Sequence, residues 1–460
     1  MSGALAIRGN AFHTPARGVL EVLEDVLIEI DADGVIAHVG PADPARLARV
    51  DRLITLEPGR YLLPGLVDCH VHAPQWPQRG TALDVPLEDW LQRHTFPLEA
   101  RYADVDFARA VYGDLVGALL AHGTTTAVYF ATTHVEATVA LAEICLAHGQ
   151  RALVGKVAMD HPGQCPDYYR DADADEALRG TRAVIERIVA MQPGDRPLVL
   201  PVITPRFLPS CTDALLEGLG QLARETGCRV QTHVSESDWA VAHGHARFGA
   251  TDSAVLEGFG LLATRAILAH GNFLTGDDRA ILRRAGAAIA HCPLSNIYFA
   301  GAVLPVRAML EEGLRIGLGT DISGGPSPSM LESVRMAVAA SRVLDRGVDA
   351  GKAADERGVA GSAITIAEAF WLATAGGGEA LGLPIGRFAV GQEFDAMLID
   401  TRREDSDLAV RPGLDGPSAI FERIVRLAGR QDIVSVWVRG RCVVDAEAGR
   451  PNFENASPDN

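Results

Sequence analysis

Apolar positions along the chain follow two rhythms. Up to about residue 61 they form short alternating runs, at 4–9, 20–30, 34–39 and 53–56, separated by Gly, Asp and Pro turns, and these predict a small β-sheet unit. From Pro64 to about Arg346 the pattern changes to continuous apolar runs alternating with amphipathic stretches. Strands are expected where the run beginning at Pro64 reaches His72, and at 124–130, 151–159, 198–205, 229–234, 266–270, 287–291 and 315–320. Helices such as 104–121, 213–226 and 276–285 lie between them, and a long Pro- and Gln-containing loop is expected after His72. About eight βα repeats predict an α/β fold with a (β/α)8 TIM barrel rather than an open doubly wound sheet. Beyond Arg346 come helical pieces at 365–374 and a return to strand at 396–399 and 434–444. The expected organisation is therefore a barrel over 63–385 and a small β-sandwich domain assembled from 1–62 and 386–460. Its polar tail, 455–460, is expected to be loose.

Composition narrows the class. With 460 residues, 48% of them hydrophobic, the chain can bury a large core. A net charge of -17 leaves no basic stripe for nucleic acid or an anionic membrane surface, and favours a small neutral or cationic substrate. Met1-Ser2-Gly3-Ala4 lacks the basic-then-apolar pattern of a signal peptide, and Gly or charge interrupts every apolar run before spanning length, so a cytoplasmic protein is expected. The seven cysteines, at 69, 145, 165, 211, 228, 292 and 442, never form Cys-x-x-Cys pairs and read as reduced core residues. Cys165 and Cys292 are candidates to line a site, with burial as small apolar groups the favoured reading for most of the seven. No Gly-x-Gly-x-x-Gly follows a strand, which gives a dinucleotide crevice no support.

Chemistry concentrates at the strand ends. In Pro64-Gly65-Leu66-Val67-Asp68-Cys69-His70-Val71-His72, His70 and His72 fall on one face of a strand, about 6.6 Å apart at a rise of roughly 3.3 Å per residue, within reach of one metal ion. Later strands end in His233, His270 and Asp321. A barrel builds its active site at the C-terminal ends of its strands, so all five side chains should converge on one mouth. Taken singly, each is equally compatible with a hydrogen-bonded core histidine or a helix-capping aspartate. Together, imidazoles and a carboxylate suit zinc or ferrous iron. The fourth strand carries no lysine that could bridge two metals, which favours a single ion, and Lys156 on the third reads as a structural or substrate-edge residue. Glu236, three residues after His233, can turn toward a metal-activated water without ligating the metal, as a proton shuttle requires.

With these residues aligned, the chain resembles the amidohydrolase superfamily. The resemblance rests on the 64–72 stretch, His233 to Glu236, Ala269-His270-Gly271, His291-Cys292-Pro293-Leu294-Ser295-Asn296 and Gly319-Thr320-Asp321, and it covers nearly the whole chain. These motifs fix a chemistry class rather than a substrate. More selective segments resemble the guanine-deaminating branch: Ala73-Pro74-Gln75, the stretch from Trp90 to Ala100 with Thr95-Phe96-Pro97-Leu98-Glu99, Cys165-Pro166-Asp167-Tyr168-Tyr169-Arg170, and Thr204-Pro205-Arg206-Phe207. Cys69 departs from the threonine of many relatives, and its side chain is expected to point away from the metal.

The resemblance implies one zinc ion per subunit, held by His70, His72, His233 and Asp321. It implies that Gln75, Arg206, Phe207, Glu236 and His270 meet a purine beside the ligands His72, His233 and Asp321, with Glu236, His270 and Asp321 catalytic. It further implies hydrolytic deamination of guanine to xanthine and ammonia in purine catabolism, and a homodimer. A deaminase or chlorohydrolase acting on a pterin, triazine or oxidised purine, a non-catalytic binding barrel, and a structural metal site remain as alternatives.

Overall fold

Segments rich in β-branched and aromatic side chains take the extended form, and in the computed structural model they sort into two sheets. The structure describes residues 5–411 and 413–447; Ala4, at the start of the first expected strand, and the 455–460 tail lie outside the described residues. Five strands come first: β1 (Leu5–Ala16), β2 (Val19–Ile30), β3 (Ile36–Pro41), β4 (Arg52–Thr55) and β5 (Arg60–Pro64). Antiparallel pairing joins β1 to β2 and β2 to β3, whereas β4 and β5 run parallel to β1.

The barrel follows, as β6 (Leu66–His72), β7 (Thr124–Phe130), β8 (Arg151–Gly155), the two-residue β9 (Val157–Ala158), β10 (Val199–Pro205), β11 (Arg229–Val234), β12 (Ala266–His270), β13 (Ala288–His291) and β14 (Arg315–Leu318). The order β6-β7-β8-β10-β11-β12-β13-β14 is parallel throughout, with β9 continuing β8 against β10. Every residue of β7, β12 and β13 is buried, as expected of strands covered by helices on one side and filled by side chains on the other. Two backbone hydrogen bonds bring the ends of the sheet together: Asp321 N–H to the His70 carbonyl and His72 N–H to the Ile322 carbonyl, both 2.9 Å.

Finally β15 (Ala396–Asp400), β16 (Ile433–Val438) and β17 (Arg441–Asp445) complete the small sheet, β15 lying antiparallel to β5 with Leu62 opposite Leu398. Ile7, Ile28, Leu62, Phe394 and Leu398 fill its core.

Three details depart from the pattern reading. The apolar run from Tyr61 to His72 is two strands in two sheets, divided at Gly65, where a Cβ would lie 2.3 Å from Thr125 Oγ1. The stretch after His72, expected as loop, is largely helical: a 3-10 turn (Ala73–Gln78), short helices Leu87–Trp90 and Phe96–Glu99, and a π turn (Leu91–Thr95) between them. Pro74, Pro77, Pro86 and Pro97 interrupt the apolar period there, yet Pro97 sits in a first helical turn, where its missing N–H is not needed. The expected strand over 434–444 is a hairpin, because Arg439 (φ 47°) and Gly440 (φ 73°) form a two-residue left-handed turn.

The intervening helices are set by their ends. Asp104 accepts from Asp106 N and Phe107 N at the head of Val105–Ala121, while Thr212 caps Asp213–Thr226 and Gly227 (φ 68°) stops it. The apolar face of Asp213–Thr226 covers the barrel, Leu215 and Leu219 sharing one core cluster with the strand residues Leu268 and Ile289. Among the described residues, no helix is long and apolar enough to cross a membrane.

Candidate active site

The five residues expected at strand ends stand there, and the barrel brings them to one mouth. His70 and His72 end β6, His233 lies near the end of β11, His270 ends β12, and Asp321 follows β14. The ring centroids of His70 and His72 are 4.8 Å apart, those of His70 and His233 4.9 Å, and those of His72 and His233 5.0 Å. Asp321 Oδ1 is 3.2 Å from His70 Nε2 and 3.6 Å from His72 Nε2. Positive φ at Ser235 (46°), His270 (72°) and Asp321 (51°) turns the chain sharply at three of these ends. Non-glycine residues hold such conformations at a cost on the order of 1–3 kcal/mol each, so surrounding bonds must fix them. Here Asp252 accepts from Ser235 N at 2.8 Å, Gly271 N reaches the Val234 carbonyl, and Asp321 N reaches that of His70.

The polar atoms at the centre suit a cation. His233 Nδ1 donates to the Arg206 carbonyl at 2.5 Å, which leaves the lone pair on Nε2. That atom lies 3.0 Å from His72 Nε2, an opposition of two nitrogens that needs a proton or a cation between or beside them. His70 Nε2 and His270 Nε2 are buried without a hydrogen-bond partner. Ligand atoms of His70, His72 and Asp321 lie within 4.8 Å of one another, as do those of His70, His233 and His270. Burial, reinforced by neighbouring imidazoles, holds His70, His72 and His233 well below the ordinary histidine range, so all three are neutral and able to ligate. The donor set of imidazoles and a carboxylate fits a divalent metal such as zinc.

A cleft enclosing about 370 Å³ of space, part of it open to solvent, lies above this centre. His72, His233, Glu236 and Asp321 line it together with Gln75, Arg206 and Phe207, and Leu87, Trp90 and Phe299 supply an apolar face. Glu236 Oε1 lies 3.5 Å from His270 Nε2, and burial together with the Asp321 charge pushes its carboxyl up to about 8. His270 Nδ1 donates to Asn296 Oδ1 at 2.9 Å, and burial keeps its ring below the usual value. With Nδ1 carrying the proton, Nε2 of the neutral ring is an acceptor.

Several site residues carry no role in the sequence reading. Glu99 is wholly buried and bonded to Gln75, Tyr169 and Arg206. Asp68 ties β6 to β14 by accepting from Thr320 N (2.9 Å) and Thr320 Oγ1 (2.5 Å). Asn272 holds the Glu236 carbonyl at 2.9 Å. A carboxylate inside an otherwise apolar run is the signal available for Asp68. Lys156 is structural, its ammonium buried against Asp171 at 2.7 Å. Cys292 lies beside His270 and Asp321, Cys165 belongs to the same buried cluster as Phe207 but is not part of the cleft lining, and the Cys69 sulfur faces Gly317.

The amidohydrolase family pattern matches residues 61–443. A guanine deaminase from Dictyostelium discoideum is 36% identical over 453 residues, 94% of this chain and 96% of that protein. Among solved structures, the guanine deaminase from C. acetobutylicum with guanine bound in its active site is 30% identical, with a TM-score of 0.85 over 95% of this chain and 99% of that one. An adenosine deaminase from Xanthomonas campestris with bound zinc is 27% identical, with a TM-score of 0.80 over 96% of this chain and 93% of that one. A barrel with its polar strand ends gathered at one mouth, matched by this pattern over most of its length, makes the chain a member of the amidohydrolase family.

Proposed function

We propose that the chain is a guanine deaminase that hydrolyses guanine to xanthine and ammonia. One observation carries the reading: the facing His72 and His233 nitrogens, with Asp321 beside them, floor a cleft walled by Gln75, Arg206 and Phe207. The near-full-length likeness to guanine deaminases supports the choice of substrate.

His70, His72, His233 and Asp321 would hold one zinc ion. When bound, it supplies Lewis-acid activation of a water molecule. The chain's own groups do the rest. Arg206 presents N–H donors to the purine carbonyl edge, Gln75 sits on the same wall, and Phe207 packs on the ring plane. Asp321 takes the first proton of the attacking water as its oxygen adds to C2. Glu236, whose carboxyl burial pushes toward the protonated form, gives its proton to N3. His270, whose Nδ1 is committed to Asn296, accepts a hydrogen bond from the water through Nε2. The proton on Asp321 then passes to the amino group, ammonia leaves, and Glu236 recovers a proton from the new oxygen as the C2 carbonyl forms.

The same reading includes a cytoplasmic homodimer in purine catabolism with no nucleic-acid or membrane partner, and a division into 1–62, 63–385 and 386–460; the two sheets support two such units, with β5 carrying the first of them to Pro64. The deciding experiment incubates the purified, zinc-loaded protein with guanine and follows xanthine by absorbance and ammonia by a coupled assay. Stoichiometric appearance of both is expected. Absence of xanthine, or preferential chloride release from a chlorinated triazine, overturns the assignment.

A further inference from the structure

Behind the cleft wall lies a buried carboxylate to which the proton transfers give no task. Glu99 is fully enclosed, at 0% exposure, and its two oxygens are saturated by four donors. Oε1 accepts from Gln75 Nε2 at 3.0 Å and Arg206 Nη2 at 3.1 Å; Oε2 accepts from the Tyr169 hydroxyl at 2.7 Å and Arg206 Nη1 at 2.5 Å. Gln75 and Arg206 line the cleft, whereas Glu99 and Tyr169 do not. The Gln75 amide is fixed at its other end too, because its Oε1 accepts from Ser323 N at 3.1 Å. The Arg206 guanidinium lies 5.0 Å from the centroid of the Phe96 ring, which closes it in from another side. Glu99 thus gathers three otherwise separate segments onto one anchor.

Charge decides what this anchor does. A guanidinium has five N–H donors, and two are spent on Glu99, so the rest can face a ligand. Left unpaired in a water-poor cleft, its positive charge would attract anions strongly. Paired with Glu99 it keeps its directional donors but presents no net charge. Guanine is a neutral oxopurine at working pH, whereas xanthine is the more acidic of the two and more readily forms an anion. We propose that Glu99 is a positioning residue that aims and neutralises Arg206, so that the cleft takes up a neutral oxopurine and releases the more acidic product. This rests on the guanine deaminase reading and extends it to a selection by charge.

The test compares the unaltered chain with Glu99→Gln, both zinc-loaded, using guanine turnover and calorimetric binding of xanthine and of hypoxanthine, a less acidic oxopurine that lacks the 2-oxo group. Failure of the unaltered chain to form xanthine would overturn the activity reading itself, separately from this one. In Glu99→Gln the guanine KM should rise about tenfold with kcat changed less than about threefold, and xanthine should gain about tenfold in affinity relative to hypoxanthine, the size of one partly screened charge contact. Zinc content should stay unchanged. An unchanged xanthine-to-hypoxanthine ratio, or a loss of kcat with KM constant, overturns the proposal. Should Glu99→Gln fail to fold, the pair Arg206→Gln and Glu99→Gln/Arg206→Gln decides. If Glu99 acts through Arg206, the two share one guanine KM to within about twofold; the independent, additive effects expected of uncoupled sites would refute the linkage.

Discussion

Replacing Asp68 should separate the architecture of the centre from its chemistry. The carboxylate is fully buried and bridges the first and last barrel strands, with Oδ1 accepting from His70 N (3.2 Å) and Thr320 N (2.9 Å) and Oδ2 from Thr320 Oγ1 (2.5 Å). Burial pushes its acid up to about 7, against the opposing pull of the Thr320 bonds. Asp68→Ala strands two buried backbone N–H groups and a hydroxyl. At about 1–3 kcal/mol for each unsatisfied group, partly relieved by water, the loss is about 3–5 kcal/mol. Asp68→Asn keeps the Oδ1 contacts and turns the Thr320 hydroxyl into an acceptor, so it should cost about 1 kcal/mol. Because His70 and Asp321 ride on the bridged backbone, Asp68→Ala should also weaken zinc binding by about 10- to 100-fold, as loss of an outer-shell partner does. Urea midpoints and zinc content after dialysis against buffered zinc read the two effects. Equal stability of the Ala and Asn variants, or full zinc retention by Asp68→Ala, would refute the bridge.

Glu236→Gln should retain zinc and lose turnover by about 10²- to 10⁴-fold, the range for a lost acid–base group, as measured by xanthine formation beside metal analysis. Because Glu236 must enter the reaction protonated and its carboxyl is raised to about 8, kcat/KM should be full below that value and fall as pH rises through it. A cation beside Asp321 offsets part of the Asp321 push, which moves this limb to lower pH, and the residual activity of Glu236→Gln should lack the limb altogether. His72→Ala should lose metal and turnover together, by metal analysis of the purified variant. Arg206→Ala should raise the guanine KM strongly while zinc stays bound; an unchanged KM would remove Arg206 from substrate recognition.

Much of the barrel was legible because its strands are short apolar runs bounded by turn residues: 124–130, 229–234 and 266–270 coincide with the observed strands. The convergence of His70, His72, His233, His270 and Asp321 was legible for the same reason, since strand ends of a barrel share one rim. Glu99 was not. Its partners stand at 75, 169 and 206, and no local period links a carboxylate to groups so distant in sequence. The helical course of the 73–103 segment was hidden by its prolines, and the division at Gly65 by an apolar run that passes between two sheets without a change in composition. His270 shows a further limit: which ring nitrogen bears the proton depends on Asn296, a neighbour supplied by another strand's loop.

The pairing of β5 with β15 has a consequence for biosynthesis. Tyr61 and Leu62 leave the ribosome early, yet their partners Ile399 and Leu398 are added near the far end of the polypeptide. At roughly 5–20 residues per second the interval is on the order of half a minute, during which the nascent strand presents an open backbone edge. A messenger truncated before codon 396 therefore yields a product whose first barrel strand hangs from an uncovered neighbour, a substrate for chaperones and proteases rather than a shortened catalyst.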